Sequence, residues 1–545
     1  MVRLFLSSVT RPVRPKRCVF RPQLELLEDR TLPSCSGPFN DGVNDGDGEF
    51  ILHTDWQARY ESVAIQTDGK IVAAGTDSGR FLVARYDPCG NLDPTYDGDG
   101  IANGPSGGVG RALVLQPDGK AVVAGEINTG SGLSDVDVAV ARFTAGGALD
   151  STFGGGDGWL RFGLTAKRYD YAWGIGLQAQ GANAGKIVVA GETQGSASNG
   201  TDSLLARFTA NGQLDSGKGG FGQPNRKGEA PGYTVTKVNA TDYDAFARLV
   251  VQSDDKIVVS GYADGNYGRQ FLARYTANGL PDPTFSGDGF AFFSEVGLPG
   301  AQPVFEIALQ PDGKIILAGG APGSDGANDL MVARFLPNGT LDTSFGGGSG
   351  RVLLDIDGTA SVTNEWAAGV VVQPDGKIVV AGAAASAGLF YKVFVARLDS
   401  NGTPDPSFGS NGFKFGQPPP PGYGFSPYAL ARHSDGSLLV VGDAYIGGTY
   451  ANGGFPWVMR FSSGSPLLAS GGPVVAASVT TPLDEAALEP ILHEALARWQ
   501  AAGADTSSLN AIDIRIADLG GATLGLAAGN TIWLDDNAAG WGWFV

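Results

Sequence analysis

Residues 115–125 read Leu-Gln-Pro-Asp-Gly-Lys-Ala-Val-Val-Ala-Gly, and close copies stand at Leu309–Gly319 and Val372–Gly382. An apolar run leads into Pro-Asp-Gly, and a β-branched run leads out. Pro presets one turn residue, Asp bonds its own backbone, and Gly supplies a left-handed position, so the phrase spells a tight hairpin. Aligned on the residue that follows the Gly, the copies fall at Lys70, Lys120, Lys186, Lys256, Lys314, Lys377 and Ser437, about 50 to 70 residues apart. Repeat 3 departs with a longer turn, Ala179-Gln-Gly-Ala-Asn-Ala-Gly-Lys186, and repeat 4 has Ser253-Asp-Asp-Lys256 with no Gly.

Each unit continues beyond the hairpin. A third apolar run, Phe81-Leu-Val-Ala-Arg-Tyr86, recurs around Arg142, Arg207, Arg274, Arg334, Arg397 and Arg460. A fourth segment, Leu92-Asp-Pro-Thr-Tyr96, recurs in most units. Four short strands per unit, seven times over, predict a mainly β chain folded as a seven-bladed β-propeller, since radial closure protects sheet edges. The seventh unit breaks off after Phe461 without its fourth segment. The stretch 37–52, before the first unit, reads as an orphan fourth strand. It is expected to pair with 456–461 and close the ring. In six units an Asp (93, 150, 215, 282, 342, 405) follows the recurrent Arg, which predicts a buried Arg–carboxylate fork in each blade rather than a cationic ring.

Composition bounds the function. The chain of 545 residues is 42% hydrophobic with 84 Gly and a net charge of −18. Enough apolar mass exists for a packed core, and Lys and Arg form no long patch, so nucleic acid is not an expected partner. No apolar run is long enough for a transmembrane segment. Three cysteines, Cys18, Cys35 and Cys89, suggest neither a disulfide framework nor a zinc site. Catalytic signatures are missing. Three histidines cannot cluster, there is no P-loop, and Gly104-Pro-Ser-Gly-Gly108 lacks the strand–helix setting of a nucleophile elbow.

The repeated phrases together resemble the delta-60 repeat of secreted and surface proteins. The resemblance implies an exported repeat protein and no reaction. Residues 1–30 carry seven Lys/Arg against three Asp/Glu, and Leu24-Glu-Leu-Leu-Glu-Asp-Arg-Thr-Leu-Pro-Ser34 resembles the N-terminal export motif of large planctomycete proteins. That likeness implies export. The expected organisation is a basic export tail (1–36), the propeller (37–463), a linker (464–480) and a small α/β module (481–545). In that module Thr481-Pro-Leu-Asp484 reads as a helix start, with short strands after it. Its order resembles the front half of a metalloprotease-like module, but no second His follows His493, so no protease activity is implied.

The four-stranded blade puts the short uniform turns on one face and the long variable connections on the other, where binding is expected. The candidates there are Tyr171, Trp173, Trp366 and Tyr428, with Asp170 and Glu365 beside them. An aromatic platform flanked by acids suits a carbohydrate. The same rings equally suit packing between blades. No cofactor is expected. Calcium is the one candidate, from Asp45-Gly-Asp-Gly48 and Asp97-Gly-Asp-Gly100, although strand-end turns explain these as well. The expected function is an exported, non-enzymatic binding or scaffolding module at the cell surface, its ligand a carbohydrate or a protein. The rival is a polysaccharide-active enzyme using carboxylates on the variable face.

Overall fold

The computed structural model describes residues 47–53 and 58–462, apart from the loop stretches 129, 131–134, 165–167, 195–199, 239–242, 264–268, 294–305, 324–325, 357–363, 386–390, 417–422 and 447–453, and then 513–517, 525–528 and 531–535. Residues 35–465 make one compact unit. It contains seven four-stranded antiparallel sheets, the blades of a propeller. Blade 1 runs inward to outward through Ala58–Ile65, Ile71–Asp77, Arg80–Tyr86 and Ile101–Ser106. The inner strands of the next six blades are Gly108–Leu115, Asp170–Leu177, Ala245–Val251, Glu306–Leu309, Glu365–Val372 and Tyr423–Arg432. Each touches the next, and the last touches the first. In blade 7 the outermost strand is Asp47–Leu52, which pairs antiparallel with Phe455–Phe461 in the register Glu49↔Arg460 and Leu52↔Trp457.

The core is a set of clusters between neighbouring blades, not one centre. Val122, Val140, Ile187 and Leu204 join blades 2 and 3, and Ile316, Val332, Val380 and Phe394 join blades 5 and 6. Strands buried on both faces lose the strict in–out alternation, which is why the second and third strands read as continuous apolar runs.

The recurrent Arg does form the fork that its spacing predicts. Arg85 Nε lies 2.8 Å from Asp93 Oδ2, and Arg274, Arg334 and Arg397 repeat that distance to Asp282, Asp342 and Asp405. The structure adds three partners. The Lys of the hairpin turn reaches the same carboxylate (Lys70–Asp93, 3.1 Å; Lys377–Asp405, 3.0 Å). The guanidinium donates to a carbonyl in the next blade (Arg85 to Ala145, Arg207 to Ala277, both 2.6 Å). It also lies over the ring that ends the fourth segment (Tyr96, Phe153, Phe221, Phe285, Phe345 and Phe408). Lys, Arg, Asp, Thr or Ser and the aromatic residue therefore recur as parts of one inter-blade staple.

Burial alone would raise the staple carboxyls. Hydrogen bonds from the hydroxyl and backbone N–H of the following Thr or Ser, with the charge of the Arg, outweigh it and hold Asp150, Asp282 and Asp342 down to about 2. A depressed folded-state value stabilises the fold above the unfolded value of about 4, and that contribution is lost as the pH falls towards about 2. Acid titration followed by circular dichroism should therefore show an unfolding transition between about pH 4 and about pH 2.

The two irregular repeats fit each other. Asp255 replaces the usual turn Gly and adopts φ 63, a conformation Asp tolerates better than most residues. Its carboxylate accepts the N–H groups of Ala179 (2.7 Å) and Gln180 (3.0 Å) in the long turn of blade 3. Gln178 donates back to the Asp255 carbonyl at 2.9 Å.

Cysteine usage needs one correction. Cys89 is disulfide-bonded, which the odd count of three did not suggest. In the C-terminal unit, Asp513–Ala517 runs parallel to Thr531–Asp535, which pairs antiparallel with Gly525–Ala528. The helix expected after Thr481 lies outside the described residues, as do the basic tail and Asp45. Among the described residues no helix is long and apolar enough to cross a membrane.

Candidate ligand site at the propeller axis

The glycine that ends the hairpin phrase has an extended backbone, so it is not there for a turn. A Cβ on Gly75, Gly125, Gly191 or Gly442 would stand 1.9 Å from the carbonyl oxygen of Arg59, Val109, Tyr171 or Ser426 on the inner strand. That carbonyl is pushed in by a β-bulge. Register shifts occur between Tyr60 and Ser62, Gly110 and Ala112, Ala172 and Gly174, Phe246 and Arg248, Ala367 and Gly369, and Pro427 and Ala429. A bulge re-aims the residue it leaves unpaired. Here those residues are Glu61, Arg111, Trp173, Ala247, Ala368 and Tyr428, each five positions before the Gln or His of its hairpin turn. The scaffold holds this position constant and varies its chemistry.

Blades 7, 1, 2 and 3 carry the polar members, and they are linked. The Arg111 guanidinium grips Glu126 (Nη2–Oε1 2.5 Å, Nε–Oε2 2.8 Å), stands 3.8 Å from Glu61, and lies 4.2 Å over the Trp173 ring. Tyr171 stacks on Trp173 at 5.9 Å, and Tyr169 stacks on Tyr171 at 6.1 Å. Trp173 Nε1 donates to Glu192 (3.3 Å), whose other oxygen accepts from the Thr201 hydroxyl (2.8 Å). Arg59 pairs with Glu61 at 2.8 Å. Burial and the nearby Glu61 charge push the Asp443 carboxyl up to about 6 against a hydrogen bond from Tyr428. Blades 4 and 5 contribute the Arg248–Glu306 pair at 2.8 Å, and blade 6 only alanines, Ala368 and Ala383.

The residues singled out from the sequence divide accordingly. Tyr171, Trp173 and Tyr428 belong to the axial group. Trp366 stands apart in blade 6, edge-on to Tyr391 at 4.5 Å. Asp170 and Glu365 are buried and latch the preceding link. Asp170 accepts the Leu164 N–H (3.0 Å), Glu365 that of Ile356 (3.3 Å), and Asp244 that of Val238 in the same way (2.8 Å). One oxygen of each carboxylate is taken by link backbone, which sets Asp170 and Glu365 against the links and not in the axial group. Glu61, Arg111, Glu126, Glu192 and Asp443 stand in the axial group, where the buried Glu126 and Glu192 bond side chains and not link backbone. Their fixed distance from the hairpin turn is the signal that marks them in the sequence.

In Asp97-Gly-Asp-Gly100 and the related Ser286-Gly-Asp-Gly289 the second acid caps its own turn; Asp45 lies outside the described residues. Asp99 and Asp288 accept the N–H of Ile101 and Phe290, each at 2.9 Å. Among the described residues no three acids, histidines or cysteines converge as metal ligands.

Six segments, 66–96, 116–153, 185–217, 252–285, 310–345 and 373–408, match the family described as "Domain of unknown function (DUF5122) beta-propeller". Five of the six run from the Gln of the turn to the aromatic residue under the Arg. The matched segments thus contain the staple. They stop short of the inner strands. No curated protein matches the chain. Solved structures similar to it include virginiamycin B lyase from Staphylococcus aureus (11% identity, TM-score 0.38, covering 75% of this chain and 97% of that one). Puromycin hydrolase is 18% identical (TM-score 0.37, covering 72% and 52%). NanB sialidase from Streptococcus pneumoniae is 11% identical (TM-score 0.36, covering 78% and 71%). At this level of similarity no chemistry carries over.

Proposed function

We propose that the chain is an exported, non-enzymatic binding propeller that takes its ligand at the axial end of blades 7, 1, 2 and 3, with the strand Asp47–Leu52 closing the ring. The observation that carries this reading is the bulge position, where one repeated geometry presents Glu61, Arg111, Trp173 and Tyr428 to a common locus. Diversity at one position of a regular scaffold is how repeat proteins build recognition. Hydrogen-bonding acids, a guanidinium and aromatic edges suit a polyhydroxylated ligand, so carbohydrate is the class proposed. The Cys89 disulfide supports export, since such bonds persist in oxidising compartments.

The test is calorimetric titration of the full chain with cell-wall and capsular oligosaccharides, with Arg111→Ala and Tyr428→Phe beside the parent. The expected result is binding of one glycan class that weakens about tenfold or more in Arg111→Ala. Parent-like affinity in both variants would move the site away from the axis. A second reading, glycan hydrolysis, is favoured by one observation, the Asp443 carboxyl raised to about 6 beside Glu61. Product release from a bound glycan, abolished in Asp443→Asn, would establish it.

A further inference from the structure

The blade 7–blade 1 interface is built differently from the others. Within blades 1 and 3 the Gln of the hairpin turn donates to a carbonyl of the next blade's turn: Gln66 to Gly119 (3.2 Å) and Gln178 to Asp255 (2.9 Å). In blade 7 that residue is His433, whose Nε2 lies 2.8 Å from the Gly69 carbonyl of blade 1. Its other nitrogen, Nδ1, lies 2.9 Å from Asp435 Oδ1. Both nitrogens therefore face acceptors. A neutral imidazole has one N–H and satisfies only one of them, leaving Nδ1 the longer contact with the Asp435 N–H at 3.3 Å. An imidazolium satisfies both. Asp435 also carries the load that the missing fourth segment leaves behind, since its Oδ2 pairs with Arg460 at 2.6 Å. Arg460 Nη1 stands 3.4 Å from the Pro88 carbonyl of blade 1, against 2.6 Å for the equivalent contacts of Arg85 and Arg207.

The axial end of the same interface holds a second proton-hungry group. Asp443 is 2% exposed, and among the described residues its Oδ1 has no hydrogen-bond partner. Across from it on the inner strand of blade 1 stand Glu61 and Arg59, and Tyr428 stands beside it on its own blade. A neutral carboxyl there removes one of two like charges and brings its own donor.

We propose that the blade 7–blade 1 interface is a proton-dependent seam, tight in mildly acidic solution and loosened as the pH rises through neutrality, with His433 acting on the turn face and Asp443 at the axis. The charged groups acting on His433 are Asp435 in its own turn and Arg460 on the neighbouring strand; blade 1 offers it the Gly69 carbonyl. His53 adds a contact across the same interface, its Nε2 2.8 Å from the Tyr86 hydroxyl. The sign follows from linkage. Bonding to Asp435 raises the His433 value above its ordinary one, so its contribution is complete below about 6.5 and is lost above it. The raised Asp443 contributes most below about 4 and loses that contribution as the pH passes about 6. Both effects run opposite to the staple carboxylates, which weaken only in acid.

The test uses the full chain, its His433→Gln and Asp443→Asn variants and the double variant. His433→Gln restores the residue found in the other hairpin turns. Thermal unfolding at about pH 5 and about pH 8 is expected to show the parent melting lower at the higher pH by about 2 °C or more, and the double variant showing less than half of that difference. Hydrogen exchange, corrected for its intrinsic pH dependence, should show protection lost at the higher pH in Asp47–Leu52, Phe455–Phe461 and Ala58–Ile65 before other blades. An unchanged pH difference in the double variant, or loss of protection spread evenly over all blades, would overturn the proposal. Should Asp443→Asn not fold, His433→Gln alone decides, by losing or keeping its share of the difference.

Discussion

Asp282→Ala is expected to destabilise the propeller by about 3–5 kcal/mol, read as a lower urea midpoint with an unchanged slope. The residue is 3% exposed, and its carboxylate gathers four donors: Arg274 Nε at 2.8 Å, the Lys256 ammonium at 3.5 Å, and the hydroxyl and N–H of Thr284 at 2.7 and 3.0 Å. Truncation leaves the buried Arg274 guanidinium without its counter-charge and facing the Lys256 ammonium. Breaking one half of a buried pair costs far more than the pair itself contributes, because the remaining charge keeps its desolvation penalty. The damage should spread to blade 5, since Arg274 also bonds the Pro337 carbonyl there. Asp288→Ala is the control. Asp288 is exposed and caps the N–H of Phe290, so a cost of about 1 kcal/mol is expected. Equal losses in the two variants would refute the staple as the main inter-blade tie.

Gly125→Ala is the second large effect. Its added methyl group would stand 1.9 Å from the Val109 carbonyl oxygen, far inside van der Waals contact. The carbonyl cannot retreat without undoing the bulge that carries Arg111. A cost of about 3 kcal/mol or more is expected, since overpacking against backbone has no rotamer to relieve it. The variant should also lose glycan affinity alongside stability, as Arg111 leaves the axis. Gly155→Ala separates the steric effect from mere loss of glycine. Gly155 has φ +89, and a Cβ added there would meet nothing within 4 Å, so only backbone strain of about 1 kcal/mol is expected. Comparable losses at both positions, or an intact Arg111–Glu126 contact in Gly125→Ala, would contradict the close-approach role of the glycine.

Strand period, hairpin turns and the Arg–Asp spacing were legible in the sequence because each depends on residues close along the chain. A two-residue alternation, a Gly that must turn left-handed at φ 81 as Gly119 does, and an Arg eight positions before its Asp are local facts. Repetition multiplied them six or seven times, and the propeller followed. The Lys in the staple, the carbonyl that the Arg borrows from the next blade, and the fit of Asp255 into the long turn of blade 3 join residues tens of positions apart. Nothing local distinguishes them.

The site shows the same division. Tyr171, Trp173 and Tyr428 were visible as aromatics on variable links. Asp170 and Glu365 looked equivalent to other acids there, and only the bonding partner, link backbone against axial side chains, separates a latch from a member of the axial group. Arg111 and Glu61 sat inside apolar strands, where only their fixed distance from the hairpin turn marks them, because a bulge leaves little mark in the alternation it interrupts. By itself the sequence determined the blade, its number and its turn chemistry, since those rest on backbone propensity and short-range pairing. The tertiary structure decided which side chains meet at the axis and which carboxyls bind protons. Those outcomes depend on distance and dielectric between blades, which the order of residues along one strand does not encode.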